Sequence, residues 1–291
     1  MPAAPRTTLI VDVLQYLAPY EFYPEVFGFC VLAVVLYARG LRQRSKAGHR
    51  NHSGAALAFF AGALLIYAVS QTRIDYLSQY MFWIHRFQHL VLHHLAPFLM
   101  VLGRPHEVLP YALPSRARAR AGVVLRHPLV RIPYRVVQQP VIASVLFVGI
   151  IFFWLTPEIH FSAMLSNPLY RLMNGSVFLE GLLFWWLIVD PRGRLDGGLR
   201  FGTRIVMLWL VMIPQIMLGA YIGLSHSELY DVYSVCGRAW PISAMTDQRL
   251  GGLITWIPAA MMSVIGALVV FRLWLQESER KDVGPGPAVA G

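Results

Sequence analysis

Charge is scarce in this chain. Asp, Glu, Lys and Arg make up 14% of its 291 residues, where a soluble domain carries about 25%. Hydrophobic side chains make up 56%, and the mean hydropathy is +0.52. Those values exclude an ordinary soluble domain and indicate an integral membrane protein. Cysteine is nearly absent: Cys30 and Cys236 form no CxxC and no zinc pattern. Cys30 lies within an apolar run, so a disulfide between the two is not expected; either thiol could instead ligate a soft monovalent metal. No Gly-rich phosphate loop, nucleophile elbow or HExxH occurs, which argues against a hydrolase or an ATP-driven pump. No internal repeat is read in these residues, and a single domain is the expectation. A single Arg6 precedes Leu9-Ile10-Val11 and Asp12 interrupts that run, so no cleavable signal is read.

Long apolar runs are what the sequence does have. A spanning helix needs about 20 mostly apolar residues, and seven runs qualify: 22–41, 54–71, 79–102, 136–156, 173–189, 203–224 and 250–275. Residues 1–21 are read as an outer-face segment, with 7–20 lying amphipathically at the interface, and 277–291 as a disordered cytoplasmic tail. The net charge of +10 is distributed by loop. Arg39, Arg42, Arg44, Lys46 and Arg50 follow the first run, and Arg104 through Arg135 follow the third. Arg192, Arg194, Arg200 and Arg204 follow the fifth, and Arg272, Arg280 and Lys281 the seventh. Alternate loops hold only Arg73, Arg171, Arg238 and Arg249. The asymmetry predicts an all-α bundle of seven transmembrane helices, amino terminus outside and carboxyl terminus in the cytoplasm. It also speaks against a nucleic-acid partner, and assigns Arg116–Arg120 to anionic lipid.

The third run carries the unusual chemistry. His85, His89 and His93 recur every fourth residue, with His94 adjacent, so a helix aligns them as a slowly drifting stripe. Ionisable groups in hydrocarbon are costly and mark functional sites, and neutral imidazole is the commonest metal ligand. The alternative is that each histidine only hydrogen-bonds to a neighbouring helix. Arg86 needs an acidic or carbonyl partner, for which Glu180, Asp75 and Asp247 are candidates; Gln88 adds another polar group. Pro97 is expected to kink the cytoplasmic end.

Asp247 and Gln248 open the seventh run, where Asp247 is expected to cap its own helix. Gly251 and Gly252 allow close helix packing. Met217, His226 and Cys236 fall toward the outer face and are the soft or nitrogen donors best placed to join His85, His89 and His93 as copper ligands, in the cuprous state. His160 is expected in an outer loop, solvated; His49, His52, His106 and His127 fall in basic loops. No other run carries a mid-membrane histidine, so a bis-histidyl haem is disfavoured.

Two segments resemble a known family. His85, Gln88-His89-Leu90, then Ala96-Pro97-Phe98-Leu99 and Leu102-Gly103-Arg104-Pro105, are similar to the signature of the CtaG-type cytochrome c oxidase assembly proteins. Asp247-Gln248-Arg249-Leu250-Gly251-Gly252 through Pro258 resembles that family's second hallmark, and Gly181 through Trp186 its fifth span. The resemblance covers about residues 25–274. It implies a seven-span bacterial inner-membrane protein that serves the maturation of haem–copper oxidases through copper supply, with roles for His85, His89 and Asp247. Where the resemblance would place histidines before the Phe-Trp-Trp segment, this chain has Asn174 and Glu180. The expectation is a non-enzymatic factor that binds copper transiently and passes it to an oxidase subunit or a periplasmic copper chaperone. A metal-free structural partner of the oxidase and a copper permease are the alternatives.

Overall fold

The computed structural model describes residues 21–191 and 198–282, with side chains to residue 279. The stretches 7–20 and 284–291 lie outside the described residues. Within them the chain forms fourteen α-helices and one π-helical turn, with no strand.

Helix α1 (Pro24–Lys46) is joined by a short basic loop to α2 (Ser53–Gln71), which leads into the short α3 (Arg73–Tyr80). Met81 is extended, at φ −140° and ψ 118°. The run expected as one helix over 79–102 therefore starts afresh as α4 (Phe82–Leu90), continues through a π turn (Val91–Leu95) and ends as α5 (Ala96–Leu102). Three helices follow, the second and third of them arginine-bearing: α6 (Pro105–Ala112), α7 (Ser115–Arg126) and α8 (Pro128–Val137). Next come α9 (Pro140–Leu155), the short α10 (Pro157–Met164) and α11 (Asn167–Val189). The chain closes with α12 (Phe201–Leu224), a single turn α13 (Val232–Cys236) and α14 (Ala244–Asp282). Proline opens α1, α6, α8, α9 and α10, where its missing N–H costs nothing and its fixed φ suits a first turn.

Helices α1, α2, α11, α12 and α14 are each long and apolar enough to cross a bilayer; α8 and α9, bent by 75°, make a sixth span if read together. The histidine run is not among these because the π turn divides it into short helices. The last helix continues to Asp282, well past the expected end at residue 275.

The π turn has a local cause. Pro97 has no N–H to return to the His93 carbonyl, and the backbone widens so that Ala96 N–H reaches Val91 O instead. The freed carbonyl is then packed by α11: a Cβ at Gly181 would overlap His93 O. On the other side, α12 and α14 pack through facing glycines, and a Cβ at Gly252 would fall 2.5 Å from Gly223 N. Gly251 takes the neighbouring contact, against the Phe82 ring of the histidine helix.

Two apolar clusters bracket the histidines. One gathers Phe82, Leu92, Tyr170, Met173, Tyr230 and Tyr233; the other gathers Phe98, Phe147, Phe184, Trp185, Met207 and Leu208. Arg204 is fully buried. Its guanidinium donates to the carbonyls of Ile188 (3.4 Å), Asp190 and Leu199 (2.9 Å), closing the carboxyl end of α11. Helices α7 and α8 bury nothing, exposing Arg116, Arg118 and Arg120 together with Leu125, Leu129 and Ile132.

Candidate functional site

The histidine helix is held at its first turn from outside its own sequence. Met81 offers no side-chain cap, and a helix start leaves backbone N–H groups unpaired. Asp247 supplies them: Phe82 N–H donates to its Oδ2 (3.1 Å) and Trp83 N–H to its Oδ1 (2.9 Å). This differs from the expectation that Asp247 caps α14. Ser243 does that, accepting Thr246 N–H at 3.1 Å, so the fully buried Asp247 carboxylate is free to serve α4. Arg238 Nε donates to the same carboxylate at 3.2 Å. Gln248 fixes the adjoining loop, accepting from Leu229 N–H at 2.7 Å and donating to Ser227 O at 3.0 Å.

Below that anchor, His85 and His89 point their Nε2 atoms at each other, 3.0 Å apart. Both are completely enclosed, with exposures of 0% and 1%. His89 Nε2 also lies 3.0 Å from Asn174 Oδ1, and His89 Nδ1 lies 3.2 Å from the Arg86 guanidinium. Arg86 Nε donates to Thr255 Oγ1 at 3.0 Å. None of the three acids expected to pair with Arg86 does so among the described residues.

On its other edge, His85 Nδ1 lies 3.1 Å from Tyr233 Oη, which is 3.0 Å from His160 Nε2; His160 Nδ1 lies 3.1 Å from Trp154 O. His160 is 1% exposed. The expectation that it is a solvated loop residue is overturned, because α10 turns the chain back into the bundle. Gln88 belongs to a separate cluster, donating to Val69 O (2.8 Å) and Asp75 Oδ1 (2.7 Å). Tyr170 O–H donates to the same Asp75 oxygen at 2.8 Å.

Past the π turn, His93 Nε2 lies 2.9 Å from Glu180 Oε2 and its ring stacks on Phe147 at 4.0 Å. A small cavity with room for about one water (about 10 Å³) is lined by Arg86, His89, His93, His94, Gln215 and Thr255. A larger cleft of about 360 Å³ between α1 and α11 reaches Asp75, Tyr170 and Asn174.

The structure thus brings together His85, His89, Arg86 and Asn174, and separately His93 and Glu180. It does not bring Met217, His226 or Cys236 to the ladder: Met217 is 66% exposed, and the other two are also exposed. Among the described residues no group of three His, Cys, Asp or Glu side chains could hold a metal ion. Sequence reasoning missed His160, Tyr233, Tyr170 and Thr255. For His160 a signal existed, since Thr156-Pro157 marks a new helix start that returns the chain to the bundle. Tyr233 sits in a polar loop whose inward packing has no periodic signature.

A family model described as cytochrome c oxidase caa3 assembly factor matches residues 35–277. An uncharacterised protein of Mycobacterium leprae is 24% identical over 292 residues, covering 94% of this chain and 42% of the relative. Uncharacterised proteins of Mycobacterium bovis and Mycobacterium tuberculosis are each 25% identical over 280 residues, 92% of this chain and 41% of theirs. The chain therefore spans less than half the length of these relatives. No solved structure matches it.

Proposed function

The chain belongs to the cytochrome c oxidase caa3 assembly factor family, and from that premise we propose that it binds a cuprous ion transiently between His85 and His89 for delivery to the oxidase. The observation that carries this reading is the pair of enclosed imidazoles whose Nε2 atoms meet at 3.0 Å on an anchored helix. Two nitrogen donors suit a soft monovalent ion that accepts few ligands better than a hard divalent one. The loop over residues 225–243 covers this end of the helix through Tyr233, and carries His226 and Cys236 on its exposed side. These two, with Met217, are the proposed transfer ligands that exchange the ion with an oxidase subunit or periplasmic chaperone. His93 is the deeper ligand of the ladder, reached only after the upper pair.

The proposed setting is the bacterial inner membrane, with seven spans, the amino terminus outside and the carboxyl terminus in the cytoplasm. The basic loops support that orientation, and the histidine run 82–102, third in chain order, would bring the six spans described above to seven. The role is non-enzymatic, as the assembly-factor family suggests. Helix α7 would lie in the cytoplasmic headgroup region, arginines toward anionic lipid.

The test is metal content of the detergent-purified protein after anaerobic copper loading. Near-stoichiometric copper that disappears in His85→Ala/His89→Ala is the expected result. Equal, negligible copper in both, with the variant folded, overturns the copper reading. A second reading has its own support: the nitrogens of His85 and His89 already have protein partners. A metal-free scaffold of the oxidase needs no more than that. Oxidase maturation that survives the double variant, yet requires the folded protein, selects the scaffold.

A further inference from the structure

The hydrogen bonds around His85 and His89 form one chain whose two ends have fixed chemistry. At one end Arg86 can only donate; at the other the Trp154 carbonyl can only accept. Ring tautomers follow from such a network. The Trp154 carbonyl takes its proton from His160 Nδ1–H, which leaves His160 Nε2 to accept from Tyr233 O–H (3.0 Å). Tyr233 oxygen then accepts from His85 Nδ1–H (3.1 Å), so His85 Nε2 carries a lone pair. From the other end, Arg86 donates to His89 Nδ1, which therefore carries no proton, and His89 Nε2 is the N–H. That N–H points at His85 Nε2 and Asn174 Oδ1, each 3.0 Å away. Every distance is satisfied by this single arrangement.

The consequence bears on the proposed metal pair, on whose copper reading this inference rests. His85 is ready to ligate through Nε2, but His89 presents a proton there. For both Nε2 atoms to hold an ion, the His89 proton must move from Nε2 to Nδ1 of the same ring, and no proton is gained or lost. Nδ1–H would then face the Arg86 donor. A cation at the pair would also lie close to a buried guanidinium, with little solvent to screen the repulsion.

The same guanidinium also faces a second pair of ring nitrogens. Arg86 makes no ion pair among the described residues, and a buried charge without a counter-charge is costly. Across the small cavity it shares with His93 and His94, neither His93 Nδ1 nor His94 Nδ1 has a hydrogen-bond partner among the described residues. Behind His93 stands the Glu180 carboxyl, 2.9 Å from Nε2.

We propose that Arg86 is the positioning residue that keeps the His85–His89 pair closed to metal, and that loading turns its N–H donors from His89 Nδ1 toward the unpaired His93 Nδ1 across the small cavity, with Glu180 behind that ring. Thr255 anchors the closed position. Glu180 is the counter-charge of the open one.

The experiment combines ¹⁵N spectra of histidine-labelled, metal-free protein with cuprous affinity measured against a chromophoric chelator. In the wild type, His89 should show the Nε2–H tautomer and His85 the Nδ1–H tautomer. Arg86→Met should let His89 populate Nδ1–H and tighten cuprous binding tenfold or more; Thr255→Val should shift both in the same direction by less. Glu180→Gln should weaken binding without altering the metal-free tautomers, and should have no effect in the Arg86→Met background. His89 found as Nδ1–H in the wild type overturns the proposal without any variant. So does Arg86→Met binding copper no tighter than a wild type that loads, or Glu180→Gln acting equally in both backgrounds. If neither wild type nor Arg86→Met takes up copper while the tautomer shift occurs, the copper reading fails and the Arg86 hold on His89 stands.

Discussion

Asp247 shows how a single residue reaches across the bundle. Its carboxylate sits on the first two N–H groups of the histidine helix and on Arg238, and water has no access to replace it. Asp247→Ala leaves those buried donors unpaired, which costs about 3 kcal/mol; a clearly lowered melting temperature in detergent is the expected outcome. An unchanged midpoint would mean that the α4 start is held by something else. Tyr233→Phe is gentler, removing one hydroxyl between His85 and His160 at about 1 kcal/mol. At this scale the sequence was only half legible. The i, i+4 spacing of His85 and His89 announces a stripe, because helical period is a property of the chain itself. The partners of that stripe, Tyr233, His160 and Thr255, come from three distant segments, and nothing local in those segments encodes the meeting.

At the scale of elements, close approach decides which helices position the histidines. Gly181→Ala drives a methyl into the His93 carbonyl, and Gly252→Ala drives one into the Gly223 backbone. Backbone cannot swing aside as a side chain does, so each substitution should cost about 1–3 kcal/mol. Gly175→Ala has open space and should be neutral to slightly stabilising. Thermal unfolding of the three variants side by side checks the ranking; equal midpoints would refute the packing argument. Gly175 also lines the 360 Å³ cleft that reaches Asn174. If copper enters there, Gly175→Trp should slow loading several-fold while leaving the final copper content unchanged. Spans with uninterrupted apolar composition, such as α2 and α12, were readable from hydropathy within two residues, whereas α11 begins six residues before its expected start because Arg171 and Asn174 interrupt its apolar run. The π turn was not, since the sequence announces Pro97 but not how the backbone absorbs it. A kink and a widened turn answer the same missing N–H.

At the scale of the whole molecule, the two cysteines provide a direct measurement of which way the bundle faces. Cys30 is buried, its thiol 3.8 Å from Ala63 O, whereas Cys236 is exposed on the single turn α13. In the proposed orientation α13 lies outside and the arginine-rich α7 lies in the cytoplasm. A membrane-impermeant maleimide applied to intact spheroplasts should therefore label the native protein once, at Cys236, and Cys236→Ser should abolish the signal. A cysteine introduced at Ser115, at the exposed start of α7, should react only after permeabilisation. The charge asymmetry between loops makes the expectation strong, because arginine retention sets orientation during insertion. The reverse labelling pattern would turn the bundle over and put Tyr233, Asp247 and the start of the histidine helix on the cytoplasmic side. Copper exchange through His226 and Cys236 would then have to involve a cytoplasmic donor, and delivery to an outer-face oxidase site could no longer proceed from that loop.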